Sequence, residues 1–239
     1  MQLEILKERK VKKVKKTAIK GIIIPNDYQW IYDLFDVEAT SPGKLQKDLD
    51  DAAGDEVQVE VNSPGGYVTS GSELYNLLRT YPGKMTIDIV GQAASAASVA
   101  AMARHNRIAP TASIMVHNVS MDGVSGDYHE MDKASRTLQE LTKTMANAYV
   151  LKTGMDRKSI LKMMDAETTI EATSAIEQGF VDEMIPETDE SLVAGALNTR
   201  CNVIPEDVIA RVKKLVNHQP EGADLTAAKI KLLELESED

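Results

Sequence analysis

Between residues 21 and 185, short β-branched runs alternate with helical patterns, and this alternation constrains the fold more than any other feature of the chain. Ile22-Ile23-Ile24 reads as a short buried strand, ended by Pro25-Asn26-Asp27. Ser41-Pro42-Gly43 opens a helix with Leu45 and Leu49 on one side. Val57–Val61 alternates as a half-buried strand should, and Asn62-Ser63-Pro64-Gly65-Gly66 breaks it. A helix carrying Leu74, Leu77 and Leu78 follows. Met85–Val90 is the next strand, with Gly91 as its end. The small apolar run Ala96–Ala103 suits a closely packed helix, and Ser113–Val116 reads as another buried strand. From Met131 to Ala148, apolar or small residues recur at spacings of three and four, the clearest amphipathic helix in the chain. Such an order predicts an α/β domain with a mostly parallel sheet, its functional residues gathered where strands end and helices begin.

At 239 residues the chain holds one ordinary domain with small appendages. We divide it into a basic N-terminal arm (1–20), a central domain (21–186) and a helical C-terminal appendage (187–239). Eight lysines and arginines crowd the arm, which reads as a solvated segment; a tether to nucleic acid or to an acidic partner is the alternative. In the appendage, Pro205-Glu206-Asp207 starts a helix with Val208, Ile209, Val212, Leu215 and Val216 on its apolar face. A last helix is expected around Leu225–Leu235. The net charge of −10 argues against general nucleic-acid binding. The arm lacks the apolar core of a secretory signal, and no stretch approaches the ~20 apolar residues of a membrane span. A single cysteine, Cys201, points to a reducing compartment and a cytoplasmic location; nothing beside it supplies the base a nucleophile needs.

Three segments carry candidate chemistry. The consecutive glycines 65 and 66 let the backbone approach a ligand closely, although alone they are a turn. Ser95 sits between a strand and a helix of small residues, where unpaired N–H groups would stabilise a developing oxyanion. The plainer reading of Ser95 is a helix N-cap. His117 ends an apolar strand, a place where a lone histidine is more often a core residue. Taken together the three suggest a nucleophile and its general base. Ser98, one helical turn beyond Ser95, is the rival nucleophile, better read as tight packing. His105, His129 and His218 read as surface residues. Neither paired metal-ligand spacing nor a phosphate-binding loop occurs, so no metal, cofactor or ATPase activity is expected of this chain.

Asn62-Ser63-Pro64-Gly65-Gly66, Gly91-Gln92-Ala93-Ala94-Ser95 and Ile114-Met115-Val116-His117 resemble the three signature segments of ClpP-type serine peptidases, in the family's order. The resemblance runs from about Ile22 to Met184. Ala94-Ser95-Ala96-Ala97-Ser98 and Glu167-Thr168 look more like the ClpP-related head-maturation (prohead) proteases of tailed phages. The resemblance implies a ClpP/crotonase-like α/β fold and a serine, histidine and acid triad. Its oxyanion hole would use backbone N–H groups of Gly66 and Ala96. The position matching the family's Asp is Glu167, with Asp165 two residues earlier as the alternative. Peptide would bind beside Asn118–Tyr128, and Met131–Ala148 would match the helix that such peptidases use in ring stacking.

These expectations describe a serine endopeptidase that hydrolyses peptide bonds through an acyl-enzyme. Its substrate would be a polypeptide, by resemblance a phage capsid or scaffold protein. The chain would form a homo-oligomeric ring, with the use of an unfolding ATPase left open. A catalytically silent capsid assembly or scaffolding protein of the same fold is the alternative, and a crotonase-type acyl-CoA enzyme is disfavoured by the serine segment.

Overall fold

The computed structural model describes residues 14–186 and 204–217, with side chains through Lys214. Eight strands form one sheet: β1 (Lys15–Ile23), β2 (Ala39–Thr40), β3 (Val57–Gly66), β4 (Met85–Ala94), β5 (Asn106–Ile108), β6 (Ser113–Val116), β7 (Thr168–Glu171) and β8 (Glu183–Met184). Along its main path the order is β2-β1-β3-β4-β5-β8, all neighbours parallel; β6 joins β4 in parallel, and β7 pairs β6 antiparallel. The expected α/β architecture with a mostly parallel sheet is therefore present. No helix among the described residues is long and apolar enough to cross a membrane.

The helices are α1 (Gln29–Leu34), α2 (Pro42–Ala52), α3 (Val68–Thr80), α4 (Ala96–Ala101), α5 (Tyr128–Thr153), α6 (Arg157–Asp165), α7 (Ala172–Glu177) and α8 (Glu206–Asn217). Local chemistry explains their ends. Pro42 occupies the first turn of α2, where its missing N–H is no loss, and Ser41 Oγ accepts the Lys44 N–H at 3.3 Å. Asp127 Oδ1 accepts the His129 N–H at 2.9 Å and the Glu130 N–H at 3.3 Å to start α5. Gly154, at φ 71, stops it in a left-handed cap.

β3 alternates strictly, with Val57, Val59, Val61, Ser63 and Gly65 facing inward. The three valines pack with Ile87 and Ile89 of β4, Leu74 and Leu78 of α3, and Ala97 and Ala100 of α4 into one apolar core. The other face of these strands is polar. Lys20 pairs with Glu60 at 3.0 Å, and Arg107 makes a two-pronged ion pair with the fully buried Asp88, at 2.7 Å to each oxygen.

Three boundaries differ from the sequence reading. Residues 1–20 do not all belong to an arm: Lys15–Lys20 pair with β3 residue by residue, because a parallel ladder needs only backbone groups and lets lysine stems reach the edge of the polar face. Residues 1–13 lie outside the described residues. The β3 strand does not stop at Val61, nor β4 at Gly91. Between Val61↔Ile89 and Ser63↔Ala93 the register slips by two residues, and Asn62 Oδ1 takes up the Gln92 N–H at 3.1 Å. That side chain repairs the ladder across the irregularity, so both strands run on to the Gly-Gly turn and to Ala94. The expected helix at Glu206 forms, and its apolar face is docked. Ile209 and Val212 are buried against Ile22, Ile24, Ile31, Tyr32 and Ala39, and the Glu206 carboxylate accepts from both the Tyr28 and Tyr67 hydroxyls. Cys201, His218 and the expected last helix lie outside the described residues.

Candidate active site

The ladder between β4 and β6 ends at Ala94↔Met115, and each strand is followed within two residues by a candidate side chain. Ser95 follows β4 directly, and His117 follows Val116. His117 Nε2 lies 2.7 Å from Ser95 Oγ. With the ring proton on Nδ1, the serine hydroxyl donates to Nε2, the arrangement a general base needs. Both residues are half-buried.

Ser95 departs from ordinary backbone geometry, with φ 53 and ψ −126. For a non-glycine residue this region is sparsely populated and stores about 1–3 kcal/mol. The strain has a visible consequence. Ser95 occupies the N-cap position of α4, yet its side chain makes no capping bond, so the hydroxyl is free to face His117. The plain N-cap reading does not describe this serine. Gly65 makes room for the turn: at φ +96, a Cβ there would stand 2.6 Å from Ser95 Cβ and 2.7 Å from Ala94 O. Ser63, buried beneath the turn, accepts the Gly65 N–H at 3.1 Å and donates to Gly21 O at 2.6 Å, fixing the glycines in place.

Ser95, His117, Gly66 and Ala96 line one cleft, which encloses about 420 Å³ including its open mouth. Val68, Val99, Val119, Met145 and Tyr149 supply its apolar walls. The segment after His117 is anchored on α5, where the Val119 N–H donates to Thr142 Oγ1 at 3.1 Å. A cleft of this kind suits an apolar side chain presented beside a reactive hydroxyl.

The two candidate acids lie near by without touching the histidine. Antiparallel pairing of Val116 with Thr168 sets the Glu167 backbone opposite that of His117. Glu167 is exposed, at φ 49. Asp165 Oδ1 accepts from Asn118 Nδ2 at 2.8 Å. Among the described residues, neither carboxylate hydrogen-bonds His117.

The sequence profile of the family described as Clp protease matches residues 48–188, more than half of the chain. The chain belongs to the Clp protease family. The matched span contains β3 to β8, and with them Gly66, Ser95, Ala96, His117, Asp165 and Glu167. Clp proteases are serine-type peptidases, and the serine and histidine met here stand within hydrogen-bond distance.

Other histidines of this Clp protease chain fall elsewhere. His105 is exposed between Asp182 and Glu183, 3.2 Å from each, and His129 stacks on Tyr128 at the start of α5. Ser98 is fully buried and bonded on both sides, to Ser95 O and to the Tyr149 hydroxyl, so it has no access to substrate. Tyr149 escaped the sequence reading. It follows Ala148 on the helical stripe and looks like one more core aromatic; only its hydroxyl, which needs a partner when buried, marks it as different.

Proposed function

We propose that this Clp protease family member is a serine endopeptidase with Ser95 as nucleophile and His117 as general base. The observation that carries the reading is the 2.7 Å contact between Ser95 Oγ and His117 Nε2 at the mouth of an apolar cleft. As Ser95 attacks the scissile carbonyl, its proton passes to His117. The backbone N–H groups of Gly66 and Ala96 receive the oxyanion, and the tetrahedral adduct collapses as His117 protonates the leaving amine. Water, deprotonated by His117, then attacks the acyl-enzyme and restores Ser95. A carboxylate, Glu167 before Asp165, orients the imidazole in this scheme. Peptide lies along the segment from Asn118 to Tyr128.

The natural substrate we assign is a capsid or scaffold protein processed during phage head maturation in the host cytoplasm. Its support is the resemblance of Ala94–Ser98 and Glu167-Thr168 to prohead proteases. The working form we assign is a homo-oligomeric ring. The first half of α5 supports this, since it leaves Tyr128 and Met131 exposed at 69% and 40% on an otherwise amphipathic helix.

Incubation with a peptidyl phosphonate, followed by mass spectrometry, tests the central assignment. A single adduct on Ser95 is expected, absent from Ser95→Ala. An unmodified protein with no hydrolysis of any peptide would favour the silent assembly protein instead. Light scattering at micromolar concentration tests the ring, which a 26.1 kDa monomer would exclude.

A further inference from the structure

Ser98 and Tyr149 form a buried polar pair directly beneath the nucleophile. Ser98 Oγ donates to Ser95 O at 2.6 Å and lies 2.7 Å from the Tyr149 hydroxyl. A serine hydroxyl carries one proton. With that proton on Ser95 O, the Tyr149 O–H is the donor to Ser98 Oγ, and a directed chain runs from Tyr149 through Ser98 to the Ser95 carbonyl. Burial pushes the Tyr149 hydroxyl above its ordinary range, only partly offset by the Ser98 contact, so it remains a donor at neutral pH.

The helix does not need this third donor. The Ser95 carbonyl already accepts the Ser98 N–H at 3.0 Å and the Val99 N–H at 3.2 Å, which satisfy the first turn of α4. What the extra bond adds is orientation. The peptide joining Ser95 to Ala96 is trans and planar, so its carbonyl and its N–H point in opposite directions. Holding the carbonyl down toward Ser98 turns the Ala96 N–H away from the helix and toward the cleft that Ser95, Ala96 and Gly66 line. Ser95 must hold this orientation on a backbone that sits in a strained region.

We propose that Ser98 and Tyr149 are positioning residues that lock the 95–96 peptide plane so that the Ala96 N–H faces the oxyanion. The proposal rests on the reading of Ser95 as nucleophile. It gives Ser98 a part in the chemistry without making it a second nucleophile, and it gives the floor of the cleft a polar duty besides contact with substrate.

The test compares wild type with Ser98→Ala, Tyr149→Phe and the double variant, each of which only removes oxygen atoms. Steady-state hydrolysis of a fluorogenic peptide gives kcat and KM, and competition gives the affinity for a peptide boronic acid, which captures Ser95 as a tetrahedral anion. Removing a whole oxyanion donor costs 10²–10³ in rate, so mis-aiming one should lower kcat about tenfold in each single variant. KM should stay unchanged, and boronic acid affinity should fall by the same factor as kcat. Because the two oxygens act through one bond to Ser95 O, the double variant should be no slower than Ser98→Ala alone. Losses confined to KM, an unchanged boronic acid affinity, or single effects that multiply in the double variant would each overturn the positioning role. Phosphonate labelling of the wild type separates the two layers. Absence of an adduct on Ser95 overturns the nucleophile reading together with this one; an adduct with all variants as fast as wild type overturns only the role of Ser98 and Tyr149.

Discussion

The Ser95 N–H donates to the Met115 carbonyl at 2.9 Å, one rung beyond the last paired residues of β4 and β6. This bond sets the serine level with the strand end that carries His117. A ladder of parallel backbone bonds thus does the work of alignment, and side-chain contact follows from it. Ser95→Ala should leave the ladder intact, so peptide hydrolysis is expected to vanish while the thermal midpoint stays within a few degrees of wild type, as befits a site without a capping bond. Retained hydrolysis in a fluorogenic assay would refute Ser95.

Gly65 is expected to be sensitive to substitution although it does no chemistry. A methyl group there meets Ser95 Cβ at 2.6 Å and the Ala96 nitrogen at 2.9 Å, on a backbone at φ +96. Neither neighbour is the far end of a flexible chain, so the turn itself must shift. Displacement of a reacting group by about 1 Å costs on the order of 100-fold, and Gly65→Ala should lower kcat by about that factor. Near-wild-type kcat in a folded Gly65→Ala protein would show that the turn has slack the geometry does not suggest.

Much of this site was legible in the sequence because it rests on strand ends and glycines, which leave local signals. Ser95, His117 and the Gly-Gly turn could all be placed by pattern. The continuation of β3 and β4 past Val61 and Gly91 could not, since it depends on the Asn62 side chain replacing a backbone acceptor from the neighbouring strand. Nor could the docking of α8: its apolar stripe was plain, but the patch that covers it is assembled from β1, α1 and β2. Tyr149 was hidden for a similar reason, its hydroxyl partner being 51 residues distant.

The buried Asp88 should behave as a structural charge. Arg107 grips both its oxygens, and Gln58 Nε2 donates to Oδ2 at 2.5 Å. Removing one partner of a buried pair strands the other, typically at about 3–5 kcal/mol. Asp88→Ala should therefore be destabilised by an amount of that order in urea denaturation. Replacing Asp88 and Arg107 together by leucine should cost much less than the sum of the single changes. Additive losses would mean that the two charges are not coupled.

Asp182 gives a pH-dependent prediction. Burial opposes its ionisation, but the Lys152 ammonium at 2.5 Å, the Asn106 N–H at 2.8 Å and the His105 ring at 3.2 Å together hold its carboxyl below the ordinary range. A carboxyl depressed by folding adds stability that is present above its unfolded value of about 4 and is lost as pH falls through the folded value. Asp182→Asn should thus melt below wild type at pH 7, and the gap should close as the pH falls below about 4. A gap of constant size from pH 7 to pH 3 would show that the charge contributes nothing.

Glu167 offers the sharpest test of the assigned triad. Pairing of Val116 with Thr168 brings its backbone opposite His117, yet it is exposed, at a left-handed φ of 49, while Asp165 is engaged by Asn118. Glutamate carries one more methylene than aspartate, and so has the longer reach. Catalytic hydrogen bonds often tighten only when substrate is bound. If Glu167 closes, Glu167→Gln should lower kcat by several orders of magnitude, because an amide can hold the wrong imidazole tautomer; a comparable change in a serine protease triad costs about 10⁴. Glu167→Asp should be partly active, limited by its shorter reach. Asp165→Asn should be mild, since its amide oxygen can still accept the Asn118 N–H. A severe loss in Asp165→Asn with an active Glu167→Gln would transfer the role to Asp165. Equal and mild losses in both would mean that His117 works without a third member, its ring held by the walls of the cleft alone.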